Sequence, residues 1–266
     1  NTYTGGTNAN GGVLEVSSVA DAGGAGSIGT GYLGVANDGT FRYTGTGAQT
    51  TARALWIDTG VQTKTIEVSS PTGDLTFSGT GGNINKPFIK AGAGALTIAD
   101  AIVPGAAVTV NGGKLTLGGT NSYTSDTVVN ATGTLVVDGD AIADAGRLDI
   151  NGTGKVEVTE PVDPTAETVD TLWIDGVQMA AGTYGATGSG DTTIDDVHFL
   201  GAGVINVTTG PVVPSGYNTW ASTNAPTGTA TDDFDGDGVP NGVEYVLGGD
   251  KDTNDLGKLP VAASDG

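Results

Sequence analysis

The chain contains no cysteine, one methionine, one histidine, and only 10 lysines and arginines against 30 aspartates and glutamates. Without cysteine it has neither a disulfide scaffold nor a thiolate metal site. The net charge of −20 argues against nucleic acid as a partner, because phosphate backbones are bound through lysine and arginine. It also disfavours an anionic membrane surface, and no apolar run approaches the ~20 residues of a membrane span. The natural partners that remain are divalent cations and further copies of the chain bridged by them.

Glycine, by contrast, is abundant: 47 of 266 residues without a collagen-like period, which indicates many tight turns. Between the glycines lie short runs in which apolar and polar residues alternate, as in strands with one buried face. No intervening segment has a helical pattern long enough to cross over a sheet. The sequence therefore predicts an all-β protein, whose clearest strands are 13–16, 40–43, 55–57, 65–68, 75–77, 95–98, 108–110, 114–117, 134–137, 148–150, 155–158 and 204–207.

Internal similarity distinguishes between a β-sandwich and stacked rungs. Residues 1–16 (NTYTGGTNANGGVLEV) resemble residues 121–137 (NSYTSDTVVNATGTLVV), and LWIDTGVQ at 55–62 returns as LWIDGVQ at 172–178. Repeats that stack bury a continuous aliphatic column that no single rung could bury. We therefore predict a right-handed parallel β-solenoid over residues 1–210.

The stretch GAGALTIADAIVPGAAVTVNGGKLTLGGTNSYTSDTVVNATGTLVVDG (92–139) resembles the autotransporter-associated β-strand repeat of bacterial surface proteins. The likeness lies in its order of strand, Gly-Gly, Asn-x-Tyr-Thr and strand. Residues 170–211 are similar to the closing rungs that often end such solenoids. The resemblance implies a scaffold that is secreted or displayed on a bacterial surface, and it implies no ligand.

The composition changes near residue 210. Residues 211–216, with two prolines, are predicted to be a linker, and residues 217–266 an acidic calcium-binding module. A second proline-containing stretch at 160–164 is predicted to be a loop on the flank of the solenoid.

The acidic module contains DFDGDGVPNGVE at 233–244, which matches the calcium-loop pattern D-x-[DN]-x-[DN]-G-x5-E at every defined position. Calcium takes six to eight oxygen ligands, and crowded carboxylates without a cation would repel one another. Gly238 is expected to provide the bend, and Asn241 to bind directly or through water. The predicted calcium ligands are Asp233, Asp235, Asp237, the Val239 carbonyl, Asn241 and Glu244.

Residues 241–247 after the loop are predicted to form one or two helical turns ended by Gly248. No helical pattern precedes the loop, so it resembles the single acidic loops of dockerins and thrombospondin type 3 repeats rather than a paired EF-hand. The looser cluster Asp250, Asp252, Asn254 and Asp255 has imperfect spacing and is interpreted as a solvated turn.

Catalysis finds little support, and the chain is predicted not to be an enzyme. His198, beside Asp195 and Asp196, could act as an acid or base but is interpreted as a turn histidine held by a carboxylate. Lysines and arginines are scattered and are expected at solvated strand positions. Trp56 and Trp173 are expected to pack in the core or at rung edges, and Trp220 to pack the small module.

The leading hypothesis is an extracellular structural protein, an adhesin or fibre-forming subunit, with possible contact to a cell surface or polysaccharide. The chain begins at Asn1 within a repeat, which suggests a processed or truncated product and a homo-oligomer assembled head to tail. The alternative is a carbohydrate-binding or polysaccharide-cleaving β-solenoid, for which an exposed aromatic platform or a groove with converging carboxylates would be evidence.

Overall fold

The structure is a computed structural model that describes residues 3–21, 27–118, 120–138, 141–159, 167–191, 193–212, 216–225, 228–249 and 254–260. It divides into two compact units, Asn1–Gly210 and Pro211–Gly266. The predicted loop at 160–164 and residues 213–215 of the predicted linker lie outside the described residues.

The described residues of the first unit form 23 short strands. They are, in chain order, β1 (Thr7–Asn10), β2 (Val13–Val16), β3 (Leu33–Ala36), β4 (Thr40–Tyr43), β5 (Ala48–Thr51), β6 (Leu55–Ile57), β7 (Lys64–Val68), β8 (Asp74–Phe77), β9 (Asn83–Ile84), β10 (Phe88–Ala91), β11 (Ala95–Ile98), β12 (Val108–Val110), β13 (Gly113–Leu117), β14 (Thr127–Val129), β15 (Gly133–Val137), β16 (Arg147–Ile150), β17 (Lys155–Val158), β18 (Glu167–Val169), β19 (Thr171–Ile174), β20 (Val177–Gln178), β21 (Gly182–Gly185), β22 (Phe199–Gly201) and β23 (Val204–Val207).

Most of these strands stack in parallel on three faces, and successive strands move from face to face; β18, β23 and β21 form a fourth, three-stranded sheet. Face 1 is β1-β3-β6-β9, face 2 runs from β2 through β4, β7, β10, β12, β14 and β16 to β19, and face 3 runs from β5 through β8, β11, β13, β15 and β17 to β22. Stacked partners are 27 residues apart at Glu15–Arg42 but 19 apart at Asn111–Asn130. The predicted parallel β-solenoid is confirmed, and its right-handed sense stays a prediction.

The core follows from the strand alternation. On face 3, one inward position of each rung lies directly above its equivalent in the next. All six side chains of this column are fully buried, and each contributes about 1.5–3 kcal/mol by leaving water. The column consists of Leu75, Leu96, Leu115, Leu135, Val156 and Phe199.

The internal repeats form the same local contacts one face apart. The Tyr3 hydroxyl bonds to Thr7 and the Tyr123 hydroxyl bonds to Thr127. However, Thr7 opens a strand of face 1 whereas Thr127 opens a strand of face 2. The two LWID copies are likewise on faces 1 and 2. Asn1, the first residue of the repeat, lies outside the described residues.

Strand pairing is no longer exclusively parallel at the C-terminal end of the solenoid. Strand β20 pairs antiparallel with β19, and β21 pairs antiparallel with β23. Antiparallel strands take up backbone groups that another parallel rung would otherwise pair. The segment 170–211 therefore differs from the preceding rungs, as its resemblance to closing rungs implies.

The expectation that the basic residues are solvated is wrong for three of them. Arg53, Lys64 and Lys90 are each at most 1% exposed. The Lys90 ammonium donates to the carbonyls of Ala91, Gly92 and Gly112 at 2.8–3.0 Å. Burial lowers the pKa of Lys90 to about 8, with nearby Glu67 acting in the opposite direction. Each buried cation is paired with carbonyl oxygens of turns. For Arg53 these belong to the preceding rung, for Lys90 to its own turn and the next, and for Lys64 to the turn that precedes it.

The second unit contains two short helices, α1 (Tyr217–Asn224) and α2 (Asn241–Leu247), and a 3₁₀ turn at Leu256–Lys258. The Tyr217, Trp220 and Tyr245 rings pack together with centroids 5.7–5.9 Å apart, which confirms that Trp220 packs this module. The prediction that α2 ends at Gly248 is confirmed too, since Gly248 adopts the left-handed conformation.

The prediction that no helix precedes the acidic loop is wrong. Helix α1 precedes it, with the sequence YNTWASTN. Its threonines, asparagines and serine have modest helix propensity, and it buries only Tyr217 and Ala221, one turn apart. So narrow an apolar stripe is too weak a signal to detect in the sequence.

Candidate functional site

The three aspartates of the acidic loop converge. One carboxylate oxygen from each of Asp233, Asp235 and Asp237 lies within 4.8 Å of those of the other two. Asp233 and Asp235 are exposed and Asp237 is half-buried. This spacing lets three oxygens face one centre, as a hard cation requires.

The backbone of the loop is held by these same carboxylates. Asp233 accepts hydrogen bonds from the N–H groups of Gly236 at 2.8 Å and Gly238 at 2.7 Å. The bond from Gly238 is the main reason why the pKa of Asp233 is below its ordinary value. Gly236 and Gly238 both have positive φ, 75° and 92°, so the bend predicted at Gly238 is present.

Glu244 approaches the loop from helix α2. It is 1% exposed, and within the described part of the chain its Oε1 atom is buried without a hydrogen-bond partner. The pKa of Glu244 is raised to about 6, first by burial and then by the negative charges of nearby aspartates, which are Asp235, Asp237, Asp255 and Asp233. A buried carboxylate oxygen that lacks a donor and faces further carboxylates fits a cation ligand.

The other two predicted ligands are both fully buried. The Val239 N–H donates to Asp237 at 2.7 Å. The Asn241 amide bridges the ends of the loop: Oδ1 accepts from the Phe234 N–H at 3.0 Å and Nδ2 donates to the Thr229 carbonyl at 2.9 Å. Asn241 thus organises the loop, and its role as a ligand stays a prediction.

Sequence reasoning missed Asp255. This residue is 3% exposed, its N–H donates to Asp237, and its carboxylate lies 2.9 Å from the Lys258 ammonium. The interpretation of this region as a solvated turn is wrong for Asp255, while Asp250 and Asp252 lie outside the described residues. Only the fold brings the 3₁₀ turn against the acidic loop.

His198 is part of the solenoid rather than of the acidic site. Its Nδ1 lies 2.6 Å from Asp195 Oδ2, and its Nε2 lies 3.1 Å from the Gly152 carbonyl oxygen. Asp195 also accepts from the backbone N–H groups of Val197 and His198. The interpretation as a turn histidine held by a carboxylate is confirmed, and the ring joins this turn to the Gly152 turn.

The two tryptophans of the LWID copies lie on the outside of the rungs, half-buried, rather than in the core. The Arg147 guanidinium covers Trp173 at 4.5 Å from the ring centroid. Trp56 instead has Tyr32 beside it, with ring centroids 5.7 Å apart and planes tilted by 50°. The same motif therefore presents its aromatic ring differently on the two faces.

Among the described helices, none is long and apolar enough to cross a membrane. No protein-family model matches the sequence, and no solved structure matches it. The chain is 30% identical over 238 residues to an adhesin of Brucella suis biovar 1 (strain 1330), the BmaC autotransporter. The alignment covers 85% of this chain and 6% of that protein. The chain thus spans a small part of the length of this relative.

Proposed function

We propose that the chain is part of a bacterial adhesin, secreted or displayed on the cell surface, in which the β-solenoid is a non-enzymatic scaffold. The observation that carries this proposal is the similarity to the Brucella adhesin along most of the chain. The parallel stack on three faces agrees with it, because stacked rungs give an extended surface for contact.

Adhesion of coated beads tests the proposal. Beads coated with the full chain are expected to adhere to cultured epithelial cells at least fivefold better than albumin-coated beads. Beads coated with Leu115→Asp, which places a charge in the fully buried face 3 column and disrupts the solenoid, are the matched control. Equal adhesion of wild-type and albumin beads would contradict the proposal.

The enzymatic alternative has a separate test. The purified chain is expected to release neither reducing ends nor unsaturated products from common polysaccharides. Turnover that His198→Ala abolishes would show that the solenoid is an enzyme.

We further propose that the acidic loop of the second unit binds one calcium ion. Asp233, Asp235 and Asp237 would supply side-chain oxygens, Val239 its carbonyl, and Glu244 the buried oxygen that has no donor among the described residues. Asp255 is close enough to raise the pKa of Glu244 and would add negative charge. Bound calcium would neutralise carboxylates that otherwise repel one another.

Calorimetry on the full chain tests this site. We expect one calcium per chain with an affinity of ~10⁻⁴–10⁻³ M, the range of extracellular modules. Asp235→Ala should abolish the binding heat, whereas Asp38→Ala, at an exposed position of the solenoid, should retain it. Unchanged binding in Asp235→Ala would exclude this loop as the site.

Head-to-tail self-association is a further part of the proposal. Within the described residues, β1 and β2 pair on one side only, and such an edge can accept another strand. Light scattering at high protein concentration with millimolar calcium should detect assemblies. Strictly monomeric behaviour would rule self-association out.

A further inference from the structure

Face 1 of the solenoid carries a cleft whose floor is a strand with small outward residues. In β3, Leu33 and Val35 point into the core, so Gly34 and Ala36 point outward. Gly34 lies in register between Asn8 of β1 and Trp56 of β6. A Cβ atom on Gly34 would lie 1.7 Å from the Asn8 side-chain oxygen. The Asn8 amide therefore occupies the space above Gly34 and lies beside the cleft, which it helps to line.

The cleft has the size of a small-molecule site. Its volume is about 410 Å³, within the ~300–1,000 Å³ of ligand pockets. The strands that carry its two walls are two strand spacings apart, ~9.6 Å from backbone to backbone. The lining residues are Asn8, Asn10, Tyr32, Ala36, Asn37, Trp56, Asp58 and Thr59.

The aromatic wall is open to solvent. Tyr32 is 42% exposed and Trp56 is half-buried, with their ring centroids 5.7 Å apart. Trp173, in the equivalent motif, has its ring face covered by Arg147. Trp56 lines a cavity instead, and an indole there offers an apolar face to a ligand ring.

The rest of the rim is polar and held in place. Asn37 adopts the left-handed conformation, φ 51°, and its amide donates to Asn10 Oδ1 at 2.5 Å. The Thr59 hydroxyl donates to the Asp58 carboxylate at 2.9 Å. Asparagine amides both donate and accept hydrogen bonds, and so do sugar hydroxyl groups. The cleft therefore combines an apolar ring face with fixed groups that match a polyhydroxylated ring.

We propose that this cleft binds a neutral sugar ring of a glycan, with the apolar face of the sugar on Trp56 and its hydroxyls on the amides of Asn8, Asn10 and Asn37. Asp58 and the net charge of −20 disfavour sulfated or sialylated sugars. This inference rests on the proposed adhesive role, and it specifies a neutral glycan as the partner that the adhesin would contact.

Glycan binding by the full chain tests the inference. Immobilised oligosaccharides ending in glucose, galactose, mannose or N-acetylhexosamine, together with sialylated and sulfated ones, serve as probes. At least one neutral glycan should bind, and saturation-transfer NMR with that sugar should show transfer to its ring protons. Trp56→Ala should weaken binding at least tenfold, and Trp56→Phe should restore part of it.

Two variants separate the cleft from general damage to the solenoid. Gly34→Ala should weaken binding by displacing the Asn8 amide while leaving the melting temperature nearly unchanged, because Gly34 does not require positive φ and the end of the Asn8 side chain can rotate away. Trp173→Ala should bind like the wild type. Absence of neutral-glycan binding, wild-type binding by Trp56→Ala, or an equal loss in Trp173→Ala would overturn the inference.

The bead assay distinguishes this inference from the proposed function. Adherent beads without neutral-glycan binding would overturn the sugar site and leave the adhesive role intact. Glycan binding that depends on Trp56, with beads that do not adhere, would support the site and contradict the adhesive role.

Discussion

The two units differ in the hydrogen-bond partners that they provide for a buried charged side chain. In the solenoid, the buried Lys90 ammonium has three carbonyl partners, and Arg53 donates to carbonyls of four residues. In the acidic unit, Glu244 is equally buried, yet its Oε1 has no donor among the described residues. The solenoid thus pairs its buried charges internally, whereas the acidic unit has a carboxylate that an external cation would pair.

The two units also differ in the extent of their hydrophobic packing. The solenoid has a continuous buried cluster that runs from Ala9 to Val207. The acidic unit depends on the ring cluster of Tyr217, Trp220 and Tyr245 and on a loop whose carboxylates bind its own N–H groups. A cation that bridges loop and helix would therefore add a large share of the stability of the second unit and little to that of the first.

Calcium removal should produce the largest effect, and only in the acidic unit. Calcium at 100 times its dissociation constant, ~10–100 mM for the affinity expected above, stabilises the state that binds it by about 2.7 kcal/mol. Chelation in the full chain should therefore lower the melting temperature of the transition seen by Trp220 fluorescence in a Trp56→Phe, Trp173→Phe background, where Trp220 is the one remaining tryptophan. The solenoid transition, followed by far-UV circular dichroism, should stay unchanged. Identical melting curves with and without chelator would remove the contrast between the units.

Asn121→Ala should affect the solenoid alone, with a smaller effect. The buried Asn121 amide accepts from the Ile102 N–H at 2.7 Å and donates to the Ala141 carbonyl at 2.8 Å, thereby joining three successive rungs. Loss of these bonds leaves buried backbone groups unpaired, so the free energy of unfolding should fall by about 2 kcal/mol. Urea titration measures it.

Asn111→Ala is the matched control for Asn121→Ala. The Asn111 amide oxygen also accepts from a neighbouring rung, from Asn130 at 2.7 Å, but this bond is exposed. The control should lose less than about 0.5 kcal/mol. An equal loss in both variants would show that burial of the amide does not matter.

Local sequence patterns predicted part of the structure of each unit. Aliphatic alternation identified many of the strands that carry the core, but not β3, β10 and β22, although Leu33, Phe88 and Phe199 are fully buried. Loop spacing identified the three aspartates of the acidic loop. Strands β1 (TNAN) and β5 (AQTT) were missed because each has a single buried side chain, so no apolar period exists. Their pairing comes from neighbouring rungs, since the solenoid supplies hydrogen-bond partners whatever the side chain.

Features made by distant residues were beyond sequence reasoning. Lys90 is buried because carbonyls from two rungs meet at its ammonium. The Trp56 cleft forms where residues of β1, β3 and β6 meet in register. Asp255 joins the acidic site only through the fold of the second unit. In each case the determining quantity is the stacking register, which no local pattern encodes.

The smallest expected effect concerns acid stability of the solenoid near His198. Burial alone would raise the pKa of Asp195, but hydrogen bonds from the His198 ring and from the backbone N–H groups of His198 and Val197 bring it below its ordinary value. A carboxyl group whose pKa is lower in the folded state stabilises the fold above its unfolded pKa of 3.8, and this contribution is lost as the pH falls through the folded value.

Because Asp195 is only partly buried, we expect Asp195→Asn to lower the free energy of unfolding by about 1 kcal/mol at pH 7, and the difference from wild type to shrink below pH 3.8. Urea titrations at pH 7 and pH 3 measure both values, with Asp38→Asn, at an exposed position, as the control that should lose less than about 0.5 kcal/mol at pH 7. A difference between Asp195→Asn and wild type that is the same at both pH values would show that the Asp195 charge does not stabilise the solenoid.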